Sequence, residues 1–289
     1  MTAQYLEGKP VAEAVLKEVV ERVEALKKRG VVPGLGTILV GDDPASAGYV
    51  RKKHEACREH GFASFDRHIA SDASQADLLD AVCAFNEDDR VHGFIIQYPV
   101  PSGFDYSEAI EIMAPEKDAD GLHPVNLGRL VLQEPGPVPA TPAGIQAMLL
   151  HYEIPVKGRE VVIVGRGSTL GRPLALLMTL KKAGANAAVT VVHTGVDDIA
   201  SYTQRADIVI AAAGVPSIVT KEMVRPGAVV ISGGITWEGK RLVPDVDESV
   251  AEVAGWITPR LGGVGPMTIA MLLRNTLELA ERMTKEHLI

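Results

Sequence analysis

Val11, Val15, Val19, Val23 and Leu26 form one apolar stripe at helical spacing. They predict an amphipathic helix over 10–29, with Pro10 in the first turn and Gly30 as its stop. The run 34–41 then reads as a short buried strand ending at Gly41. Asp42-Asp43-Pro44 makes a turn, and Ser46 is placed to cap the following helix. ASFDRHI reads as a strand, QADLLDAVCAF as a helix, and VHGFIIQ as a strand stopped by Tyr98-Pro99. Residues 114–140 show little period and are rich in Pro, Gly and Asp, the mark of a functional loop. Thr141, as N-cap, and Pro142 then open a helix to about 152.

A second alternating run starts at Lys157. EVVIV is a strand, 165–171 a loop and RPLALLMTLKKAG a helix; AVTVVH, DIVIAA and GAVVIS follow as buried strands. LGGVGPMT leads into a last helix from 269 to about 283. Strands alternating with helices predict two α/β domains with largely parallel sheets. The expected division is 1–140 as one domain and 141–267 as the other. The C-terminal helix, 268–289, packs back to complete the first.

Composition narrows the function. The chain has 289 residues, 46% apolar and 23% charged, as a soluble two-domain protein would. A net charge of −8 argues against nucleic acid, which needs clustered Lys and Arg. Arg51-Lys52-Lys53 is a local basic cluster, which reads as a solvated helix face or a contact for a small anion. Cys57 and Cys83 have no metal or disulfide spacing, so no metal is expected. No stretch reaches the ~20 apolar residues of a membrane span. The N-terminus is not built like a signal peptide, so a cytoplasmic location is expected.

Two features carry chemistry. Tyr49 and Lys53 lie four residues apart, which places an aromatic ring and an amine on one helix face. Gly165-Arg166-Gly167-Ser168-Thr169-Leu170-Gly171 follows an apolar strand and opens a helix. Glycines there let a backbone approach a pyrophosphate at a helix N-terminus. An NAD site would end the next strand with Asp or Glu for the ribose hydroxyl. This strand ends at His193-Thr194-Gly195 instead, and Arg166 suits a 2′-phosphate, so NADP is favoured. Read from these residues alone, the chain is a two-domain NADP oxidoreductase, and an amino-acid or shikimate-type dehydrogenase fits equally well.

Six motifs in order narrow the choice: VGDDPAS with YVRKK, GFIIQYPVP, KDADGLHPVNLGRL, TPAGIQAML, VGRGSTLGRP and GGVGPMT. Over nearly its whole length the chain resembles the bifunctional methylenetetrahydrofolate dehydrogenase/methenyltetrahydrofolate cyclohydrolases, the FolD family of one-carbon metabolism. The resemblance implies a Rossmann-like NADP-binding second domain and a homodimer through it. It implies NADP-dependent oxidation of 5,10-methylenetetrahydrofolate, then hydrolysis of the methenyl product to 10-formyltetrahydrofolate, which feeds purine biosynthesis. By motif, Lys53 is the catalytic lysine of hydrolysis, Tyr49 packs on the folate rings, and Gln97 sets the protonation of Lys53. Asp120 binds the pterin, and Gly262, Gly263 and Pro266 line the folate side. Gly165, Arg166, Gly167, Ser168, Gly171, His193, Thr194 and Ile235 fall to the cofactor. Taken singly, Tyr49 is a packing residue, Lys53 a surface charge, Asp120 a turn residue and Gln97 a polar strand end. Their joint occurrence gives the functional reading.

The chain also departs from the family pattern. Arg260-Leu261 replaces Val-Pro before Gly262-Gly263. Ser232-Gly233 stands where Asp-Val is usual, Pro244 replaces a glycine, and Tyr98 replaces a leucine. Gly167 stands where many members carry serine. Two alternatives follow: a cyclohydrolase with weak or absent dehydrogenase activity, or a catalytically silent folate- or nucleotide-binding protein.

Overall fold

The computed structural model describes residues 3–238 and 241–286. In chain order the elements are β1 (Gln4–Tyr5), α1 (Gly8–Lys27), β2 (Gly34–Val40), α2 (Pro44–Glu59), β3 (Ala63–Ile69), α3 (Gln75–Glu87), β4 (Gly93–Ile96), α4 (Tyr106–Glu111) and α5 (Pro124–Leu132). The chain continues through α6 (Ala140–His151), β5 (Glu160–Val164), α7 (Gly171–Thr179), β6 (Ala188–Val192), α8 (Ala200–Thr203), β7 (Ile208–Ala211), β8 (Val229–Ser232), β9 (Ile235–Glu238), β10 (Arg241–Pro244), β11 (Trp256–Ile257) and α9 (Val264–Glu286). Two compact units form: Ala14–Ala140 with Ile269–Ile289, and Thr141–Thr268 with Met1–Glu13.

The first unit is built on a parallel sheet of order β3-β2-β4. β2 is its central strand and is buried throughout, so GLGTILV is continuously apolar apart from Thr37. Gly36 is required there, because a Cβ would lie 2.8 Å from Phe94 and 2.9 Å from the Phe85 ring. Leu272, Leu273, Leu277 and Leu279 of α9 share a core with Val19, Val23 and Leu35. This is the expected return of the last helix to the first unit.

The second unit has a sheet of order β1-β11-β8-β7-β5-β6, with every pairing parallel. Parallel strands joined by helices make it a Rossmann-like sheet. The first residues of the chain belong to it, since β1 pairs with β11. β9 and β10 form a separate antiparallel ribbon that the apolar pattern does not announce.

Several boundaries differ from the sequence reading. Asp43, not Ser46, caps α2: its carboxylate accepts from the Ser46 N–H at 2.7 Å, with Pro44 opening the helix. Residues 124–132, expected to be irregular, are helical. Pro124 starts α5, and the ring of His123 caps it by accepting from Val125 N–H at 3.0 Å. Thr141 does not cap α6, which begins one residue earlier; the Thr141 hydroxyl bonds that of Thr268 at 3.1 Å. α7 stops at Thr179 because Leu180 is extended, and 181–184 turn at the left-handed Gly184. α9 starts at Val264, five residues before the expected point.

Candidate active site

α2 carries Tyr49 and Lys53 toward the C-terminal end of β4. Lys53 is buried, and its ammonium donates to Gln97 Oε1 at 2.5 Å. Gln97 immediately follows β4, and its own N–H is fixed on Ile38 O at 2.8 Å. The Gln97 amide nitrogen donates to Tyr98 O at 2.8 Å, which turns its oxygen to the lysine. Burial lowers the Lys53 pKa to about 8, against the pull of Asp120. Tyr49 is half-buried, which raises its phenol pKa, and Lys52 lies over its ring at 5.7 Å from the centroid.

Asp120 sits in a loop held by its neighbours. The side chain of Asp118 is buried and accepts from Gly121 N–H at 2.9 Å, His123 N–H at 2.8 Å and Asn126 Nδ2 at 2.9 Å. Asn275 of α9 donates to Ala119 O and Val138 O, both at 2.9 Å. Gly121 needs its left-handed φ of 73°, and a Cβ there would lie 2.7 Å from the backbone at Val138–Pro139. The Asp120 carboxylate itself accepts no hydrogen bond among the described residues. Burial pushes it up to about 6, with Lys53 pulling it down and Asp118 pushing it further up. A half-buried carboxylate without protein donors can take a ligand that brings N–H groups.

Sequence reasoning missed two members of this cluster. Asp118 reads as a turn residue, yet it organises the loop that presents Asp120. Tyr106 opens α4 with its phenol pKa raised by burial, then by Asp120 and Asp118. The rings of Tyr106 and Tyr98 meet edge to face at 5.1 Å. The Asp118/Gly121/His123 spacing is a signal for the first; nothing local in the sequence signals the second.

The cofactor candidates lie in the other unit. A Cβ on Gly165 would lie 2.2 Å from Ala212 O, and one on Gly171 would lie 2.4 Å from Gly165 O. These glycines let the loop press against neighbouring backbone, while Gly167 has open space around it. α7 begins without a side-chain cap or an acid in its first turn, so its N-terminus suits a phosphate. Arg166, Ser168 and Thr194 are exposed, and Ile235 is partly exposed at the start of β9. His193 accepts from Gly195 N–H at Nδ1, 3.0 Å away, so its neutral ring carries the proton on Nε2. β6 ends at Val192 with no acid following at once. These residues fit a dinucleotide bearing a 2′-phosphate.

Gly262, Gly263 and Pro266 belong to this same unit. Gly262 has a φ of 80°, and its carbonyl accepts from Gly8 N–H at 2.7 Å. A Cβ on Gly8 would lie 1.8 Å from Gly263 O. Pro266 sits in the first turn of α9. No helix among the described residues is long and apolar enough to cross a membrane, and no metal-binding group of acids, His and Cys occurs among them.

Comparison with known proteins identifies the family. The tetrahydrofolate dehydrogenase/cyclohydrolase catalytic-domain model matches residues 6–120, and the NAD(P)-binding-domain model of the same family matches 139–284. The bifunctional protein FolD of Syntrophotalea carbinolica is 66% identical over 285 residues, 99% of this chain and 98% of that protein. The solved bifunctional FolD of Campylobacter jejuni superposes with a TM-score of 0.92 at 39% identity, over 97% of this chain and 99% of that one. The Trypanosoma brucei dehydrogenase-cyclohydrolase, solved with NADP and an inhibitor, gives 0.92 at 38% identity, over 98% and 99%. The chain belongs to the tetrahydrofolate dehydrogenase/cyclohydrolase family.

Proposed function

We propose that this protein oxidises 5,10-methylenetetrahydrofolate with NADP⁺ and hydrolyses the methenyl product to 10-formyltetrahydrofolate. One observation carries the reading: a buried lysine held on Gln97, with its pKa lowered to about 8, beside a carboxylate that lacks donors.

In hydrolysis, water adds to the cationic methenyl carbon and must lose a proton. Neutral Lys53 accepts it, and burial makes that neutral form accessible near physiological pH. The Gln97 oxygen holds the amine in place. Carbon–nitrogen cleavage then yields the formyl product, with one proton released overall. Asp120 is assigned to the pterin, whose N–H donors satisfy its carboxylate. Tyr49 offers its ring face to the flat folate system.

Bound NADP⁺ would supply the hydride acceptor. Gly165, Gly167 and Gly171 shape its phosphate cradle with Ser168, and Arg166 is the permanent cation for the 2′-phosphate. His193 offers its Nε2–H, and Thr194 and Ile235 complete the assignment. No residue needs to exchange a proton in hydride transfer; the chain contributes alignment and exclusion of water. Gly262, Gly263 and Pro266 are assigned to folate on their motif alone. A homodimer through the cofactor unit and a cytoplasmic location are proposed from the family resemblance.

The test is to assay both half-reactions on one preparation. NADPH formation from 5,10-methylenetetrahydrofolate together with loss of methenyl absorbance supports the proposal. Hydrolysis without NADPH formation limits the protein to a cyclohydrolase, and neither activity leaves a silent binder.

A further inference from the structure

We propose that Asp245 is a positioning residue for the cofactor surface, holding the loops after β7 and β8 in place against the phosphate loop. The inference rests on the assignment of that surface to NADP⁺.

Asp245 directly follows β10 and is completely buried. Its Oδ2 accepts from Ala213 N–H at 2.7 Å and Gly214 N–H at 2.9 Å, both in the loop that leaves β7. Its own N–H donates to Ser232 Oγ at 3.1 Å and Gly234 O at 3.3 Å, where the chain leaves β8. The Ser232 hydroxyl donates in turn to Gly234 O at 3.2 Å. One residue therefore pins the exits of two neighbouring strands at their C-terminal ends, where open parallel sheets bind their ligands.

These exits are the backing of the phosphate loop. Gly165 packs so closely on Ala212 and Ala213 that a Cβ would lie 2.2 Å from Ala212 O and 2.9 Å from Ala213 N. A Cβ on Gly233 would lie 2.7 Å from Leu170, at the far end of the same loop. Gly234 seats the carboxylate, since a Cβ there would lie 2.1 Å from Asp245 Oδ2. A shift of 213–214 or 233–234 is therefore felt at Gly165 and Leu170.

The arrangement is costly as plain packing. Asp245 Oδ1 is buried and has no hydrogen-bond partner among the described residues, and burial raises the carboxyl pKa. An apolar residue would avoid that cost but leave two backbone donors of the β7 loop unpaired. Ser232, one of the departures from the family pattern, joins the same cluster. Lys53, Gln97 and Asp120 lie in the other unit, so loss of this clamp should spare hydrolysis.

The test measures NADP⁺ affinity by calorimetry, beside methenyl hydrolysis, in the parent, Asp245→Ala and Asp245→Asn. Asp245→Ala is expected to weaken NADP⁺ binding about tenfold or more, with hydrolysis within about twofold of the parent. Asp245→Asn keeps an oxygen for Ala213 and Gly214 and should restore affinity to within about threefold. If Asp245→Ala does not fold, Ser232→Ala decides, with NADP⁺ binding expected to weaken about threefold. Unchanged NADP⁺ affinity in Asp245→Ala, or in Ser232→Ala where that variant decides, overturns the proposal. Equal loss of affinity and hydrolysis in Asp245→Asn also overturns it, because that marks general structural damage. A parent that fails to bind NADP⁺ removes the cofactor assignment itself, and this inference with it.

Discussion

Lys53 and Gln97 are 44 positions apart, yet the lysine ammonium meets the glutamine oxygen at 2.5 Å. The pairing follows from β2 and β4 lying side by side, with α2 leaving one and Gln97 ending the other. Gln97 offers an acceptor without a charge. It orients the amine while leaving burial free to lower the pKa, which a carboxylate in its place would raise.

The pH dependence of hydrolysis follows with a definite sign. In the proposed mechanism the base is neutral Lys53, and its pKa stands at about 8 instead of the ordinary 10.5. The rate at saturating substrate should rise with pH through about 8 and level off above it. A pH–rate profile checks this. A rise centred above pH 10, or a fall through pH 8, would mean that Lys53 is not the base.

Asp120→Asn should weaken folate binding and depress both activities. With the pterin assigned to Asp120, the amide would put a donor where the pterin brings donors, a mismatch costing about 1–3 kcal/mol. The Asp120 charge also raises the Lys53 pKa, so its removal should move the hydrolysis inflection below that of the parent. Folate affinity and the pH–rate profile of the variant test both effects. Unchanged affinity with an unmoved inflection contradicts the assignment.

Asp118→Ala should destabilise the fold. It orphans the donors of Gly121, His123 and Asn126, and buried unpaired donors cost about 1–3 kcal/mol each. A total loss of about 3–5 kcal/mol is expected by urea denaturation. Asp118→Asn retains one acceptor oxygen and should cost less. A loss below about 1 kcal/mol in Asp118→Ala would show that the loop is held by other means.

Arg166→Ala should reduce the preference for NADP⁺ over NAD⁺ by weakening NADP⁺ more. Under the proposed assignment the exposed guanidinium would meet the 2′-phosphate, which only NADP⁺ carries. Values of kcat/KM for both cofactors, in parent and variant, measure the ratio. An unchanged ratio removes Arg166 from phosphate recognition.

Much of this was legible in the sequence because it rests on short-range pattern. EVVIV had to be a buried strand, and Gly165 to Gly171 a close-packed turn into a helix. Tyr49 and Lys53 share a helix face by spacing alone. What spacing could not supply was tertiary pairing. Asp118 becomes the organiser of its loop only because α5 forms, and α5 was hidden by Pro124 at its start and Gly128 within it. Ser46 was a plausible cap until Pro44 fixed the helix start and gave that role to Asp43. Tyr106 and Asp245 reach their sites through long-range packing that leaves no local trace.

The most direct measurement assays both half-reactions in Lys53→Met. In the proposed mechanism only hydrolysis uses proton transfer at Lys53, so methenyl hydrolysis should fall by about 10²–10⁴-fold while most hydride transfer to NADP⁺ persists. Hydrolysis at the parent rate, or equal loss of both activities in a folded variant, would contradict the role given to Lys53.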